Sequence, residues 1–102
     1  MKQHSKNKRR VVITGMGLLT PLGNTVAATW EGLLANRVGI GEISQFDTTD
    51  FKAHLSGELK DFDPTDFLDR KEARRMDRYC QMALAATDEA MQQAGLADAT
   101  YD

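Results

Sequence analysis

The sequence predicts an α/β fold to which this chain contributes one core strand and several helices. Val11, Val12 and Ile13 form a continuous β-branched run, which is typical of a strand buried on both faces. Two long segments farther on have apolar residues at helical spacings of three and four. A strand that is apolar on both faces needs neighbouring strands to satisfy its backbone groups, and no second such strand follows. We therefore expect an incomplete part of a larger α/β protein.

Composition excludes several classes of function. The chain has 102 residues, of which 41% are hydrophobic and 27% charged, as in one globular domain or a part of one. No apolar run approaches the roughly 18 residues of a membrane span, and the first apolar run is too short for a signal peptide. The single cysteine, Cys80, permits no intrachain disulfide, and no Cys/His cluster suggests a metal. We expect a cytoplasmic protein with no cofactor and no metal.

Charge is distributed unevenly along the chain. The first ten residues, MKQHSKNKRR, contain five basic residues and no acidic one, whereas acidic residues outnumber basic ones in the remainder. Such a tail can bind nucleic acid or membrane, but its composition favours a solvated segment. We expect a disordered basic tail over residues 1–8 and the start of a larger domain over residues 9–102.

The first predicted elements are a strand and a helix joined by a glycine-containing loop. The strand covers residues 10–14 and the loop residues 15–23. A side-chain oxygen of Asn24 or Thr25 can accept hydrogen bonds from the first amides of a helix that continues to about Asn36. The apolar face of this helix consists of Val26, Trp30, Leu33 and Leu34.

Glycine and proline divide the segment that follows. Gly39 and Gly41 end the first helix and open a loop, and residues 55–59 have a weak extended pattern. Asp63 is a candidate cap for a short turn or helix that has Pro64 in its first position.

A long helix is predicted over residues 69–94. Gly95 is suited to ending it, because glycine readily adopts the left-handed conformation found after helices. Its apolar positions recur at spacings of three and four, namely Ala73, Met76, Cys80, Ala83, Leu84, Thr87 and Met91.

The glycines of VVITGMGLLTPLGN raise the question of nucleotide binding. A dinucleotide fingerprint requires three glycines in the pattern G-x-G-x-x-G, but Thr20 stands in the third place. A P-loop requires a lysine, and none lies between Arg10 and Lys52. These departures favour a structural role, in which Gly15 and Gly17 permit a tight turn and a close approach of two backbones.

A cationic stripe is predicted on the long helix. Four basic residues of DRKEARRMDR, residues 69–78, fall at i, i+3, i+4 and i+7 of one face: Lys71, Arg74, Arg75 and Arg78. Like charges at these spacings repel, and an acidic partner would reverse that effect. From the pattern alone a solvated charged face is favoured over a binding site. Of the two possible partners, nucleic acid fits less well than an acidic protein, because no aromatic residue interleaves with the basic residues.

Cys80 is a weak candidate for a nucleophile. On a continuous helix it lies within the apolar face, away from a helix N-terminus that would stabilise a thiolate. The two histidines, His4 and His54, are both distant from it in sequence. We expect a buried structural thiol.

Residues 9–41, RRVVITGMGLLTPLGNTVAATWEGLLANRVGIG, resemble the start of the β-ketoacyl-acyl carrier protein synthases, which are the elongating condensing enzymes of fatty-acid synthesis. The signature is the strand, the G-M-G and T-P-L-G-N segments, and a helix with a central tryptophan. FDTTDF, GELKDFD and RKEARRMDRY follow in the family's order and are most similar to its synthase II branch. The resemblance covers residues 9–102.

The resemblance implies the N-terminal portion of a thiolase-like, layered αβαβα fold, usually found in a homodimer. It implies decarboxylative condensation, in which an active-site cysteine receives the acyl group and two histidines assist the loss of CO2 from malonyl carrier protein. Cys80, His4 and His54 match none of these catalytic positions. We therefore expect the 102 residues alone to be inactive. We also expect no nucleic-acid or membrane partner.

One functional feature of the family does match residues of this chain. The family's R-K-E-x-R-K/R-M-D segment presents cations to the acidic helix of acyl carrier protein, and its matching cations are Lys71, Arg74 and Arg75. The resemblance assigns no role to Arg78. Two alternatives stay open, namely a fragment that docks carrier protein without catalysis and a polyketide-type relative of the same fold.

Overall fold

The described part of the protein combines helices with a small sheet. A computed structural model describes residues 8–98, so nearly all of the expected basic tail lies outside the described residues. The elements are α1 (Val26–Leu34), β1 (Ile40–Glu42), β2 (Leu55–Gly57), a 3₁₀ helix (Pro64–Asp66), α2 (Arg70–Arg75) and α3 (Arg78–Ala94). Within these residues, no helix has both the length and the hydropathy needed to cross a membrane.

The sheet consists of β1 and β2 in antiparallel orientation. Its register pairs Ile40 with Gly57, and the amide of Ile43 extends the ladder by donating to the carbonyl of His54 at 2.9 Å. The extended pattern predicted over residues 55–59 is confirmed along β2. Its partner β1 falls in a region that was predicted to be a loop.

The core strand predicted over residues 10–14 is absent from the described structure. This segment has no regular secondary structure, and Val11 and Ile13 are 91% and 84% exposed. A strand requires a neighbour that exchanges ladder hydrogen bonds with it. Because β1 and β2 pair only with each other, residues 8–98 supply no such neighbour.

Residues 15–18, which we call the glycine segment, lie against α3. A Cβ atom added at Gly15 would collide with the carbonyl of Ala90, and one added at Gly17 would collide with the carbonyl of Ala86. A side chain at either position would therefore push the segment off the helix. The predicted close backbone approach is confirmed, although it is made to a helix.

Helix α1 begins as predicted and ends earlier. Thr25 has an extended backbone, and its hydroxyl accepts a hydrogen bond from the amide of Ala28 at 3.0 Å. After Leu34 the chain turns through Asn36, whose φ of 55° is left-handed. Asparagine tolerates this conformation better than most residues, so the helix ends before Gly39 is reached.

The long helix predicted over residues 69–94 is divided into α2 and α3. Met76 and Asp77 adopt β-region backbone, with ψ of 142° and 156°, and interrupt the helical hydrogen-bond ladder. The continuous helix was therefore a wrong prediction. No glycine or proline marks this point in the sequence, and helical periodicity is present on both sides of it.

Two further predicted helix ends are confirmed. The Asp63 carboxylate accepts hydrogen bonds from the hydroxyl and the amide of Thr65, at 2.6 and 2.9 Å, and these bonds lower the pKa of Asp63. Gly95 ends α3 in the left-handed conformation, with φ of 71°. The Leu96 amide then donates to the carbonyl of Met91 at 2.9 Å, as in a Schellman motif.

Burial is shallow throughout residues 8–98. The buried residues there are all small: Thr29, Gly32, Ala73 and Ala85. The predicted apolar face of α1 is largely uncovered, since Trp30 is 59% exposed and Leu33 is exposed beside it. The radius of gyration is 18.8 Å, whereas a compact domain of this length has about 13 Å. The apolar faces therefore lack partners within the described chain.

Candidate functional site

The predicted site residues lie on α2, a helix of six residues. Asp69 caps it, because its carboxylate accepts a hydrogen bond from the amide of Glu72 at 2.8 Å. Arg74 and Arg75 occupy the last turn, where the helix dipole favours positive charge. The opposite side of the helix contains the buried Ala73. The local sequence therefore fixes which side of α2 faces outward.

All three predicted cations are accessible. Lys71, Arg74 and Arg75 are exposed, and none of them forms an ion pair within the described part of the chain. Arg70 adds a fourth cation to a helix whose only acidic residue is Glu72. Like charges at helical spacing repel by about 0.2–0.5 kcal/mol per pair. An acidic partner would relieve this repulsion.

Arg78 departs from the predicted stripe. The helix break makes it the first residue of α3, and its guanidinium carbon lies 4.7 Å from the centre of the Phe62 ring. Such a cation–π contact stabilises a structure by about 0.5–1 kcal/mol at an exposed site. The prediction of one continuous stripe is therefore wrong. The three family-matched cations stay together on α2, while Arg78 contacts the loop before the 3₁₀ helix.

Gln81 connects α3 to the end of α2. Its Nε2 donates hydrogen bonds to the carbonyls of Ala73, at 2.8 Å, and Met76, at 3.5 Å. The last carbonyls of a helix have no partner within the helix and need donors from elsewhere. Gln81 also lines a shallow, open groove together with Arg70 and Arg74. We call this region the α2–α3 junction.

The glycine segment offers no phosphate site, because a carboxylate occupies the place of the phosphate. Phosphates bind at helix N-termini by accepting hydrogen bonds from free amides. Here the Glu89 carboxylate accepts from the amide of Val26, the first residue of α1, at 3.1 and 3.2 Å, and from that of Leu18 at 2.9 Å. Gln93 Oε1 accepts from the amide of Met16 at 2.7 Å. These contacts confirm the structural interpretation of the glycines.

Sequence reasoning missed Glu89, Gln93 and Gln81. Glu89 and Gln93 are four residues apart on α3, as are Ala86 and Ala90, which the glycines approach. Small residues at this spacing beside polar ones indicate that another backbone comes close and needs acceptors for its amides. That signal was present in the sequence. Nothing in the sequence pointed to Gln81, because a continuous helix would have no free carbonyls at that point.

Cys80 lies in the first turn of α3, which corrects its predicted position in the middle of a helix. It is half-buried, and no hydrogen bond links it to His54, whose Nδ1 lies 3.0 Å from Thr48 Oγ1. His4 lies outside the described residues. Within residues 8–98, no three His, Cys, Asp or Glu side chains are grouped so that they could hold a metal ion. The structural role of Cys80 stays a prediction.

Comparison with known proteins shows the family to which this chain is similar. Residues 8–102 match the family described as Beta-ketoacyl synthase, N-terminal domain. The chain is 53% identical over 89 residues to 3-oxoacyl-(acyl-carrier-protein) synthase 2 of Synechocystis sp.. It is 53% identical over 92 residues to the synthase 2 of Staphylococcus aureus. It is 47% identical over 90 residues to that of Vibrio cholerae.

The matches cover most of this chain and a small share of each relative. They include 87%, 90% and 88% of this chain, but only 21%, 22% and 22% of the three synthases. A solved structure, "The ishigamide ketosynthase/chain length factor", aligns with a TM-score of 0.78 and 38% identity. That alignment covers 86% of this chain and 22% of the other.

The structural match defines the chain as part of a thiolase-like ketosynthase fold, which confirms the predicted fold class. Within that class, the chain belongs to the β-ketoacyl synthase family and matches its N-terminal domain. It spans about a fifth of the length of the curated relatives it matches.

Proposed function

We propose that this chain forms the N-terminal part of a β-ketoacyl-acyl carrier protein synthase that elongates fatty acyl chains. The supporting observation is its 53% identity, over about nine-tenths of its length, to a relative named as synthase 2. In the reaction, a malonyl thioester loses CO2 and its carbanion attacks an acyl group held on a cysteine. A C–C bond forms, and the acyl C–S bond breaks to release the thiolate.

The 102 residues alone do not carry out this condensation. The reaction needs a nucleophilic cysteine and two histidines, and no residue of this chain matches those positions of the family. What this chain contributes is a surface for the protein that carries the substrates.

That surface is the outward side of α2, which docks acyl carrier protein. Lys71, Arg74 and Arg75 are exposed and without ion pairs in the described residues, so an acidic helix can neutralise all three. Arginine suits such a partner because its planar guanidinium donates two parallel hydrogen bonds to one carboxylate. The carrier protein then presents the acyl and malonyl thioesters to the active site.

A polyketide-type relative is the second candidate. The solved ketosynthase/chain length factor supports it, with 38% identity and a TM-score of 0.78. The fatty-acid assignment is favoured because identity to the synthase 2 relatives is higher, at 47–53%. The shallow core argues against a fragment that folds alone and only docks carrier protein.

Family membership also supports a homodimer for the full-length protein. We also infer a cytoplasmic location, because the relatives it matches are fatty-acid synthases of the same family.

The docking role is tested by reversing charge on α2 in the full-length protein. The double variant Arg74→Glu with Arg75→Glu would place like charges against the acidic helix. We expect it to bind fluorescently labelled acyl carrier protein about 100-fold more weakly at low salt, because like-charge contacts cost several kcal/mol. The wild-type affinity should itself fall as salt screens the attraction.

Arg37→Glu is the matched control. Arg37 is an exposed arginine in the loop after α1, so the same kind of charge reversal, at one position, falls on a different surface. Unchanged binding by the double variant, or an affinity that does not respond to salt, would rule out docking at α2. A full-length protein that failed to condense acyl and malonyl thioesters would overturn the enzymatic assignment separately.

A further inference from the structure

We infer that Gln81 is a positioning residue for the docking helix, because it fixes the end of α2 and thereby the direction in which Arg74 and Arg75 point. The inference rests on the proposed docking function. It adds a residue that lies outside α2 and carries no charge.

Helix α2 is too short to be stable without contacts to the rest of the chain. Isolated helices shorter than about 12–15 residues are marginal in water, and α2 has six. Asp69 caps its start, and Ala73 is buried beneath it. At its end, Met76 and Asp77 separate it from α3, and the Asp77 side chain makes no capping hydrogen bond. Besides packing of both helices against the 3₁₀ helix, the side chain of Gln81 joins α3 to the end of α2 by hydrogen bonds.

The hydrogen bond of Gln81 acts directly on the backbone that carries the cations. Its Nε2 lies 2.8 Å from the carbonyl oxygen of Ala73. That carbonyl and the amide of Arg74 belong to the same planar peptide unit, so holding one holds the other. The weaker bond to Met76, at 3.5 Å, holds the chain just after Arg75. Both contacts are partly buried, which limits competition from water.

The positioning role differs from general stabilisation in one measurable way. If Gln81 acts by aiming the two arginines, its loss should matter only while those arginines are present. If it only stabilises the fold, its loss should weaken binding to the same degree in either background. A double-mutant comparison separates the two, because coupled residues are not additive.

The test uses the full-length protein and labelled acyl carrier protein. We expect Gln81→Leu, which keeps the volume and removes the donor, to weaken binding by about 5- to 10-fold. In the background Arg74→Ala with Arg75→Ala, the same change should weaken binding by less than about 2-fold, because coupling requires both partners. Gln92→Leu is the matched control, since Gln92 is exposed on α3 and its side chain forms no hydrogen bond in the described residues.

Rescue by a donor-retaining variant sharpens the test. Gln81→His, measured near pH 8, keeps an N–H at a similar distance from the backbone and should recover most of the affinity. Amide exchange supplies a readout independent of carrier protein, since Gln81→Leu should speed exchange in α2 and leave the C-terminal end of α3 unchanged. Should the leucine variant fail to fold, Gln81→Asn removes the reach of the amide while keeping its polarity, and the same results are expected.

The outcomes distinguish the two proposals. Wild-type protein that does not bind carrier protein overturns docking, and the exchange measurement still tests positioning. The inference is overturned if binding is lost when Arg74 and Arg75 are replaced but is unchanged in Gln81→Leu. Equal losses with and without the arginines also overturn it.

Discussion

At the scale of single residues, Glu89 has the most consequential contacts in the described chain. Its carboxylate accepts hydrogen bonds from the amides of Leu18 and Val26, which lie in separate segments. The Val26 amide is one of the donors that a helix N-terminus leaves unpaired, and a negative charge there is favoured by the helix dipole. Glu89 therefore completes the capping of α1 from a position 63 residues away.

Replacing Glu89 should destabilise the protein markedly. We expect Glu89→Ala to lower the free energy of unfolding of the full-length protein by about 2 kcal/mol, because hydrogen bonds to a charged group are lost and the partly buried amide of Val26 is left unpaired. Urea denaturation measures the change. Glu31→Ala is the control, since Glu31 is exposed on α1 and its side chain forms no hydrogen bond in residues 8–98; it should change stability by under about 0.5 kcal/mol. Equal effects of the two variants would contradict the capping role.

At the scale of elements, the contact between the glycine segment and α3 organises the structure. Met16 and Leu18 donate their amides to side chains of α3, while Gly15 and Gly17 leave room for the helix backbone. The residues whose amides donate to α3 alternate with the glycines that leave room for it. The same side of the segment therefore faces the helix along its whole length. Close packing and hydrogen bonding depend on each other here.

A single methyl group should disrupt this contact. We expect Gly17→Ala to destabilise the full-length protein by about 3 kcal/mol, because the added Cβ has no room beside the carbonyl of Ala86 and overpacking of this kind is costly. Thermal unfolding measures the loss. Gly41→Ala is the control, since a Cβ there meets no atom within 4 Å. A melting temperature for Gly17→Ala that equals that of the control would show that the segment packs differently.

At this scale, the sequence predicts correctly those features that depend on residues close together in the chain. The caps at Thr25, Asp63 and Gly95 were predicted correctly, because each depends on atoms within a few residues. The break at Met76 was missed, because helical periodicity is present on both sides of it and no glycine or proline marks it. Strand pairing could not be predicted from a β-branched run alone, since a ladder requires a partner that the local sequence does not specify.

The binding role of Lys71, Arg74 and Arg75 stays a prediction, whereas the geometry assumed for the cationic stripe was wrong. The cations of α2 lie together because they share one helical turn and its neighbour. Arg78 was assigned to the same face only on the assumption of an unbroken helix. The family resemblance assigned no role to Arg78, which agrees with its place on α3 outside the docking helix.

At the scale of the whole molecule, the described chain has surfaces that a finished core would cover. Val11, Ile13 and Trp30 are each more than half exposed, and the radius of gyration of 18.8 Å exceeds that of a compact domain of the same length. The chain matches about a fifth of its relatives. These exposed apolar residues indicate where the rest of a ketosynthase fold packs.

The isolated 102-residue chain should therefore be poorly folded. We expect no sharp thermal transition and little amide protection, because the apolar faces of α1 and α3 lack partners. Calorimetry and hydrogen exchange measure the two properties, and the full-length protein serves as the control with a cooperative transition. A sharp melt of the short chain with strongly protected amides would contradict this.

The contacts made by Glu89 and Gln93 also set an order of events during synthesis. They hold amides that precede them by 71 and 77 residues. At a translation rate of about 5–20 residues per second, the ribosome needs roughly 4–14 seconds to pass from Leu18 to Glu89. During that interval the amides of Met16 and Leu18 have no partner on α3, so the nascent segment can dock only after the helix that accepts its hydrogen bonds has been made.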